Sequence, residues 1–260
     1  LSSEWKNNCE EERLLGVSMT GIMDNSLTNG KKKGLEDILS NLKTVAIKEN
    51  KKIADKIGIN SSVAITCVKP SGTVSQLVNA ASGIHARHNP YYIRTVRADI
   101  KDPLCKMMVD AGFKHEPDHL KPDHTMVFSF PMKSPKNSVC RKDMGAIEQL
   151  DLWLTYQKYW CEHKPSVTIT VKEEEWVAVG AWVYDHFDEV CGVSFLPFSD
   201  HSYKQAPYQD CTKEVYDEYV SYLPKSVDWS VLVKYEQEDN TAGSQTMACT
   251  GNVCEIVDLT

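Results

Sequence analysis

The sequence predicts an α/β fold with a parallel sheet. The order of apolar runs carries that reading: short β-branched stretches alternate with longer amphipathic ones, as strand–helix–strand units do. The clearest unit runs from Ser62 to Ala80. Ser62 to Val68 is short, apolar and β-branched, which suits a buried parallel strand. Pro70 stops the ladder because it has no N–H to donate. Ser71, Gly72 and Thr73 follow, and Val74, Leu77, Val78 and Ala81 then fall at helical spacing.

The other elements follow in chain order. The opening through Glu12 is polar and charged, and Leu14 to Ile22 reads as a short buried strand. Leu35 to Ile57 is predicted helical, with Leu35, Ile38, Leu39, Leu42, Val45, Ala46, Ile53 and Ile57 on one face and Gly58 as its C-cap. Tyr91 to Ala98 alternates like a strand, Lys101 to Ala111 is a short helix, and Gly112 to His124 is exposed loop. Thr125 to Pro131 is a strand expected to pair antiparallel with Tyr91 to Ala98. Ile147 to Cys161 is an amphipathic helix, Ser166 to Val171 a strand, Glu173 to Glu189 a helix, and Cys191 to Pro197 a strand. A loop from Asp200 to Asp210, a helix over Thr212 to Tyr222 and a strand or turn at Trp229 to Tyr235 complete the series. No repeat or linker composition interrupts residues 1–235, read as one unit; 236–260 reads as a polar, mobile tail.

Composition narrows the function classes. The 260 residues are 42% hydrophobic and 25% charged, as in globular proteins, and the net charge of −7 argues against nonspecific nucleic-acid binding. No apolar run approaches the ~18 residues of a membrane span. The start lacks a basic and then apolar leader, and lacks Met; the expectation is a cytoplasmic chain that is a split, processed or truncated product. Nine scattered cysteines suit a reducing compartment, most of them acting as small buried hydrophobes.

Two stretches carry candidate chemistry. At Ser71, Gly72, Thr73, Val74 and Ser75, first-turn amides and hydroxyls converge where glycine admits close approach, which suits a phosphate. The same pattern suits an ordinary strand-to-helix turn capped by Ser or Thr, and the residues alone leave both open. In the tail, Cys249 and Cys254 flank Gly251. They fit a redox shuttle, half a zinc site, or two unrelated thiols. His115, His119 and His124 have no consistent ligand spacing, so no metal site is assigned.

Lys69-Pro70-Ser71-Gly72-Thr73-Val74-Ser75, Ser82-Gly83-Ile84-His85 and Pro90-Tyr91-Tyr92-Ile93-Arg94 resemble the C-terminal part of ribonucleotide reductase catalytic subunits. Gly16 to Gly21, His163 to Thr168 and the Cys249/Cys254 pair fit the same family in the same order, over nearly the whole chain. The pattern is most similar to the monomeric, adenosylcobalamin-dependent (class II) ribonucleoside-triphosphate reductases. That resemblance implies the second half of a ten-stranded α/β barrel. It implies that Pro70 to Ser75 hold the phosphates of a ribonucleotide. It further implies that Cys249 and Cys254 re-reduce the active-site disulfide and are themselves reduced by thioredoxin. Iron-dependent relatives carry a Tyr-Tyr radical relay on the strand after the acidic helix; Gly192 to Pro197 contains no tyrosine, which favours the cobalamin class.

One departure matters. The family's thiyl-radical cysteine lies in an Asn-Pro-Cys-Gly-Glu type motif, and Asn8-Cys9-Glu10 is a poor match. The chain is therefore expected to be the C-terminal portion, needing an N-terminal half that carries the thiyl cysteine and inactive alone. The alternatives are a fragment of an iron-dependent reductase and a nucleotide-binding module without chemistry.

Overall fold

A computed structural model describes residues 2–72, 74–198 and 203–236, together with the backbone of 248–250 and 253–255. In chain order the elements are α1 (Ser3–Glu12), β1 (Val17–Ser18), α2 (Leu35–Ile57), β2 (Thr66–Cys67), α3 (Val74–Leu77), β3 (Tyr91–Asp99), α4 (Pro103–Asp110), β4 (His115–Pro117), β5 (Thr125–Lys133), α5 (Ala146–Tyr159), β6 (Thr168–Val171), α6 (Trp176–Asp185), β7 (Ser194–Pro197), β8 (Tyr208–Asp210), α7 (Lys213–Ser221), β9 (Ala248–Thr250) and β10 (Val253–Glu255). The described residues are mixed α/β, and they divide into two compact units. One comprises 1–87 and 135–198, the other 88–134 and 199 onward. No Pro- or Gly-rich composition marks either border.

In the first unit the strands are parallel. β1 pairs with β2 (Val17 opposite Thr66), and β6 pairs with β7 (Thr168 opposite Ser194). The segment entering β6 runs along β2: Glu162 and His163 donate N–H to Thr66 O at 2.8 and 3.1 Å, and Ser166 donates to Val68 O at 3.3 Å. Glu162 Oε2 also accepts the Ile65 N–H at 2.9 Å. The carboxyl ends of these strands therefore share one rim, where α/β proteins place ligand-binding loops.

The core of this unit gathers on α5. Leu150, Trp153 and Tyr156 are fully buried, and Ile22, Met23, Leu39, Val68, Ile84 and Ile169 pack into the same cluster. The two buried indoles find acceptors, Trp153 on Pro165 O at 3.0 Å and Trp160 on Cys67 O at 2.8 Å. Burial pushes the Tyr156 hydroxyl pKa up, and that hydroxyl donates to Thr28 O at 2.9 Å. The N-terminus of α5 has no cap of its own at Gly145; Glu175 supplies one from the next helical turn, accepting the Ala146 N–H at 2.9 Å. α2 carries Glu36 and Asp37 in its first turn and Lys56 in its last, and ends on left-handed Gly58 (φ 73°) as expected.

Arg87 binds this unit's loops together. It is 4% exposed and bidentate to Asp24, Nε to Oδ1 at 2.8 Å and Nη2 to Oδ2 at 2.7 Å. Its Nη1 and Nη2 also reach Asn79 Oδ1 and Asn79 O at 3.0 and 2.6 Å. Asp24 Oδ2 accepts the Ala81 N–H at 2.7 Å. Burial pushes the Asp24 pKa up, but its hydrogen bonds to Arg87 and Ala81, together with the Arg87 charge, bring it below its ordinary 3.8.

The second unit is an antiparallel sheet of order β4-β5-β3-β8. β3 and β5 pair along their full length, Tyr91 opposite Lys133 through Asp99 opposite Thr125, matching the expected antiparallel pairing. Asp102 caps α4 by accepting the Leu104 N–H at 2.8 Å, with Pro103 at the first helical position. Asp118 is 2% exposed and held by Arg97 Nε at 2.8 Å.

Several expectations change. Leu14 to Ile22 is not a buried strand: only Val17–Ser18 is strand, both exposed, and Leu14 and Leu15 are exposed too. The polar opening forms α1, capped by Ser2 Oγ accepting the Trp5 N–H. On α2 only Leu35, Leu39 and Ala54 are buried; Leu42, Val45, Ile53 and Ile57 of the expected apolar face are exposed. The helix after the Pro70 turn is one turn long, and the acidic helix begins as a 3-10 turn at Glu173–Glu175. His115–Pro117 and Tyr208–Asp210, read as loop, are strands. Cys67, Cys105, Cys140 and Cys161 are buried free thiols, as expected. Among the described residues no helix is long and apolar enough to cross a membrane.

Arg87→Ala should cost about 3–5 kcal/mol by stranding a buried carboxylate, read as a lower urea midpoint. A double Asp24→Leu/Arg87→Met variant should recover part of that loss. Because the folded pKa of Asp24 is depressed, its stabilisation is present above the ordinary 3.8 and is lost as pH falls through the folded value. Acid unfolding of Asp24→Asn, followed by circular dichroism, should lack that part of the acid limb.

Candidate functional site

The Pro70 turn lies directly after β2, at the rim where the parallel strands end. It is anchored on both sides. The Lys69 N–H donates to Ser18 Oγ at 2.9 Å, which fixes it to the end of β1. The Ser71 N–H donates to Ser82 Oγ at 2.8 Å. Gly83, at φ 48°, packs so closely under Lys69 that a Cβ there would meet Lys69 O and Val68 Cγ1 at 3.3 Å.

Within the turn the serines bond to each other. Ser71 Oγ accepts the Ser75 N–H at 2.6 Å, and Ser75 Oγ donates to Ser71 O at 2.7 Å. Ser75 is fully buried. Both its polar groups serve the turn, the role of a side-chain cap. Gly72 is exposed, and a Cβ built on it meets nothing within 4 Å. Val74 is also exposed. Thr73, the remaining candidate, lies outside the described residues. The turn thus presents Gly72 and Val74 to solvent and is shaped from behind by Ser71, Ser75 and Ser82.

A further brace comes from His85, which enters the sequence reading only through the Ser82 to His85 resemblance. Its Nδ1 lies 2.9 Å from Ser82 O, and its Nε2 lies 3.0 Å from the Thr168 nitrogen. A carbonyl on one side and an amide N–H on the other fix the neutral tautomer with the proton on Nδ1. Burial holds its pKa below the ordinary 6.5, against the opposing pull of the Ser82 carbonyl. The three-residue step from Ser82 to His85 was the available signal, since it closes a turn in which the His85 N–H also reaches Ser82 O at 3.1 Å.

The cysteines separate cleanly. Burial pushes the Cys161 thiol up to about 12, with the neighbouring Cys67 adding to the rise, so Cys161 is not poised as a thiolate. In the tail, the backbone of β9 and β10 pairs antiparallel with Cys249 directly opposite Cys254. The linking residues 251–252 and the rest of the tail, including the stretch 237–247 expected to be mobile, lie outside the described residues. Directly opposed residues have Cα atoms about 4.5–5.5 Å apart, inside the ~4.4–6.8 Å a disulfide spans. His115 lies in β4, its Nδ1 2.7 Å from Phe113 O. Among the described residues no group of three His, Cys, Asp or Glu could hold a metal ion.

No protein-family profile matches the chain. Curated relatives do. An adenosylcobalamin-dependent ribonucleoside-triphosphate reductase of Euglena gracilis is 30% identical over 238 residues, 88% of this chain and 32% of that protein. The enzyme of the same description from Lactobacillus acidophilus is 27% identical over 278 residues, 95% of this chain and 37% of that protein. The crystal structure of a B12-dependent (class II) ribonucleotide reductase superposes with a TM-score of 0.77 at 25% identity, covering 91% of this chain and 36% of that one. The chain spans about a third of the length of these relatives. Over most of its length, this protein is a homologue of part of the adenosylcobalamin-dependent, class II ribonucleotide reductases.

Proposed function

We propose that this chain forms part of an enzyme that reduces ribonucleotides, as their triphosphates, to 2′-deoxyribonucleotides, and that it supplies the loop holding the substrate phosphates and the dithiol that recycles the enzyme. The observation that carries the reading is the turn at Ser71–Ser75: it sits at the carboxyl rim of parallel strands, is pre-shaped by its own serines, and leaves open space at Gly72. The fold reading that accompanies it is the second half of a ten-stranded α/β barrel, supported by β1, β2, the segment entering β6, and β7 lying side by side and parallel.

The reaction replaces a ribose C–OH by C–H and releases water, while two thiols become one disulfide. This chain's residues do three things toward it. The Ser71–Ser75 turn binds and orients the substrate through its charged end, so that the sugar is presented in one pose. Cys249 and Cys254 give two electrons and two protons to the active-site disulfide by thiol exchange, and become a disulfide across the β9–β10 register. Thioredoxin or a similar dithiol restores them. The cysteine that attacks the sugar lies on the N-terminal half of the enzyme, the partner this chain requires.

The strand β7 bears on the cofactor. Its residues are all exposed and include Phe195 and Leu196, an apolar surface without an ionisable proton. Without a tyrosine this strand does not fit a proton-coupled radical relay, which supports the cobalamin reading. Adenosylcobalamin, when bound, supplies the radical from which the reaction starts.

Gly72→Val should raise the KM for nucleoside triphosphate at least tenfold in the assembled enzyme, with the melting temperature unchanged because the new side chain meets open space. An unchanged KM removes the phosphate role. Cys249→Ser or Cys254→Ser should spare the single turnover of pre-reduced enzyme and abolish thioredoxin-driven cycling. Sustained turnover in either variant rejects the shuttle. The 260-residue chain alone, given adenosylcobalamin and dithiol, should show no product.

A further inference from the structure

Behind the Ser71–Ser75 turn lies a continuous hydrogen-bonded line. Thr168 on β6 donates its N–H to His85 Nε2 at 3.0 Å, and His85 Nδ1 reaches Ser82 O at 2.9 Å. Ser82 Oγ accepts the Ser71 N–H at 2.8 Å, and Ser71 Oγ accepts the Ser75 N–H at 2.6 Å. The line starts on a buried strand and ends in the turn. Gln149 steadies the same corner, its Nε2 donating to Ile84 O at 2.8 Å and to Thr168 O at 3.4 Å. Gly83 leaves no slack there, because its Cα side faces Lys69 O.

From this line we infer that His85 is a positioning residue for substrate binding: as a neutral imidazole it holds Ser82, and through Ser82 the Ser71 amide, in the shape that receives the phosphates. It does not touch the ligand. The inference rests on the phosphate reading of the turn and adds to it the group that sets the turn's shape. A simple packing role would make every substitution at His85 act alike, in proportion to lost stability. The two-sided geometry predicts something different, because the two nitrogens have separate duties. Asn places a donor near the Nδ1 position, toward Ser82, and leaves the Thr168 N–H without an acceptor. Gln reaches toward Thr168 and takes the ring donor from Ser82 O, which keeps only the backbone N–H of residue 85. Binding and stability should therefore part company between the two variants.

The test is tripolyphosphate binding to the 260-residue chain by calorimetry, with thermal melting of each variant. His85→Gln should weaken binding about tenfold, the worth of one hydrogen bond, while melting close to the parent. His85→Asn should bind within about threefold of the parent yet melt lower, since a buried N–H has lost its acceptor. Gly72→Val serves as the control for the turn itself. If the parent chain binds tripolyphosphate and Gly72→Val does not, but both His85 variants bind like the parent, the positioning role is wrong while the phosphate turn stands. The role is equally wrong if affinity in the two variants simply tracks melting temperature. If the parent and Gly72→Val are indistinguishable, the phosphate reading fails and the positioning role falls with it.

Discussion

Arg87 carries a permanent charge into a place where it is 4% exposed, and its planar fork must be satisfied there. Asp24 meets it with both carboxylate oxygens, and Asn79 with side chain and backbone. The backbone of Arg87 is equally committed, its N–H to Val139 O and its O to the Arg141 N–H, both at 2.8 Å. One residue thus joins the loop after β1, the end of the Pro70 turn and the point where the chain re-enters its first unit. A buried ion pair adds modest net stability, but it penalises every arrangement in which its partners are apart. That penalty makes the loops around the strand ends a single arrangement.

The same logic explains the Pro70 turn. Four amides at a helix start need acceptors, and a one-turn helix has few residues with which to supply them. Ser82 and Ser71 supply hydroxyl oxygens at short range, and Ser75 Oγ donates back to Ser71 O, so the turn holds its form before any ligand arrives. Pre-formed binding sites lose less entropy when occupied.

How much of this was legible beforehand depended on the range of the interactions. The long helix ending at Gly58, the β3–β5 pairing and the burial of Cys67 and Cys161 follow from local pattern and were readable. The turn was found because Pro70 and Gly72 punctuate the sequence. The direction of its serine hydroxyls was not readable, because one oxygen serves a ligand or its own backbone equally well and the letter is the same. Leu14, Leu15 and Val17 were read as interior because apolar periodicity reports only that a face avoids water, not which surface covers it. α1 was missed because its residues bury nothing: capping by Ser2 forms it, not an apolar stripe. The brace at His85 depends on Thr168, distant in sequence, and no local window contains both.

The indole of Trp160 is almost wholly buried and donates to the carbonyl of Cys67, on the strand that leads into the turn. Its fluorophore is therefore fastened to the backbone just upstream of the candidate binding loop. A displacement of that strand, too slight to register in helix content, would alter the colour and lifetime of its light, so the protein carries its own optical gauge of how the loop is seated.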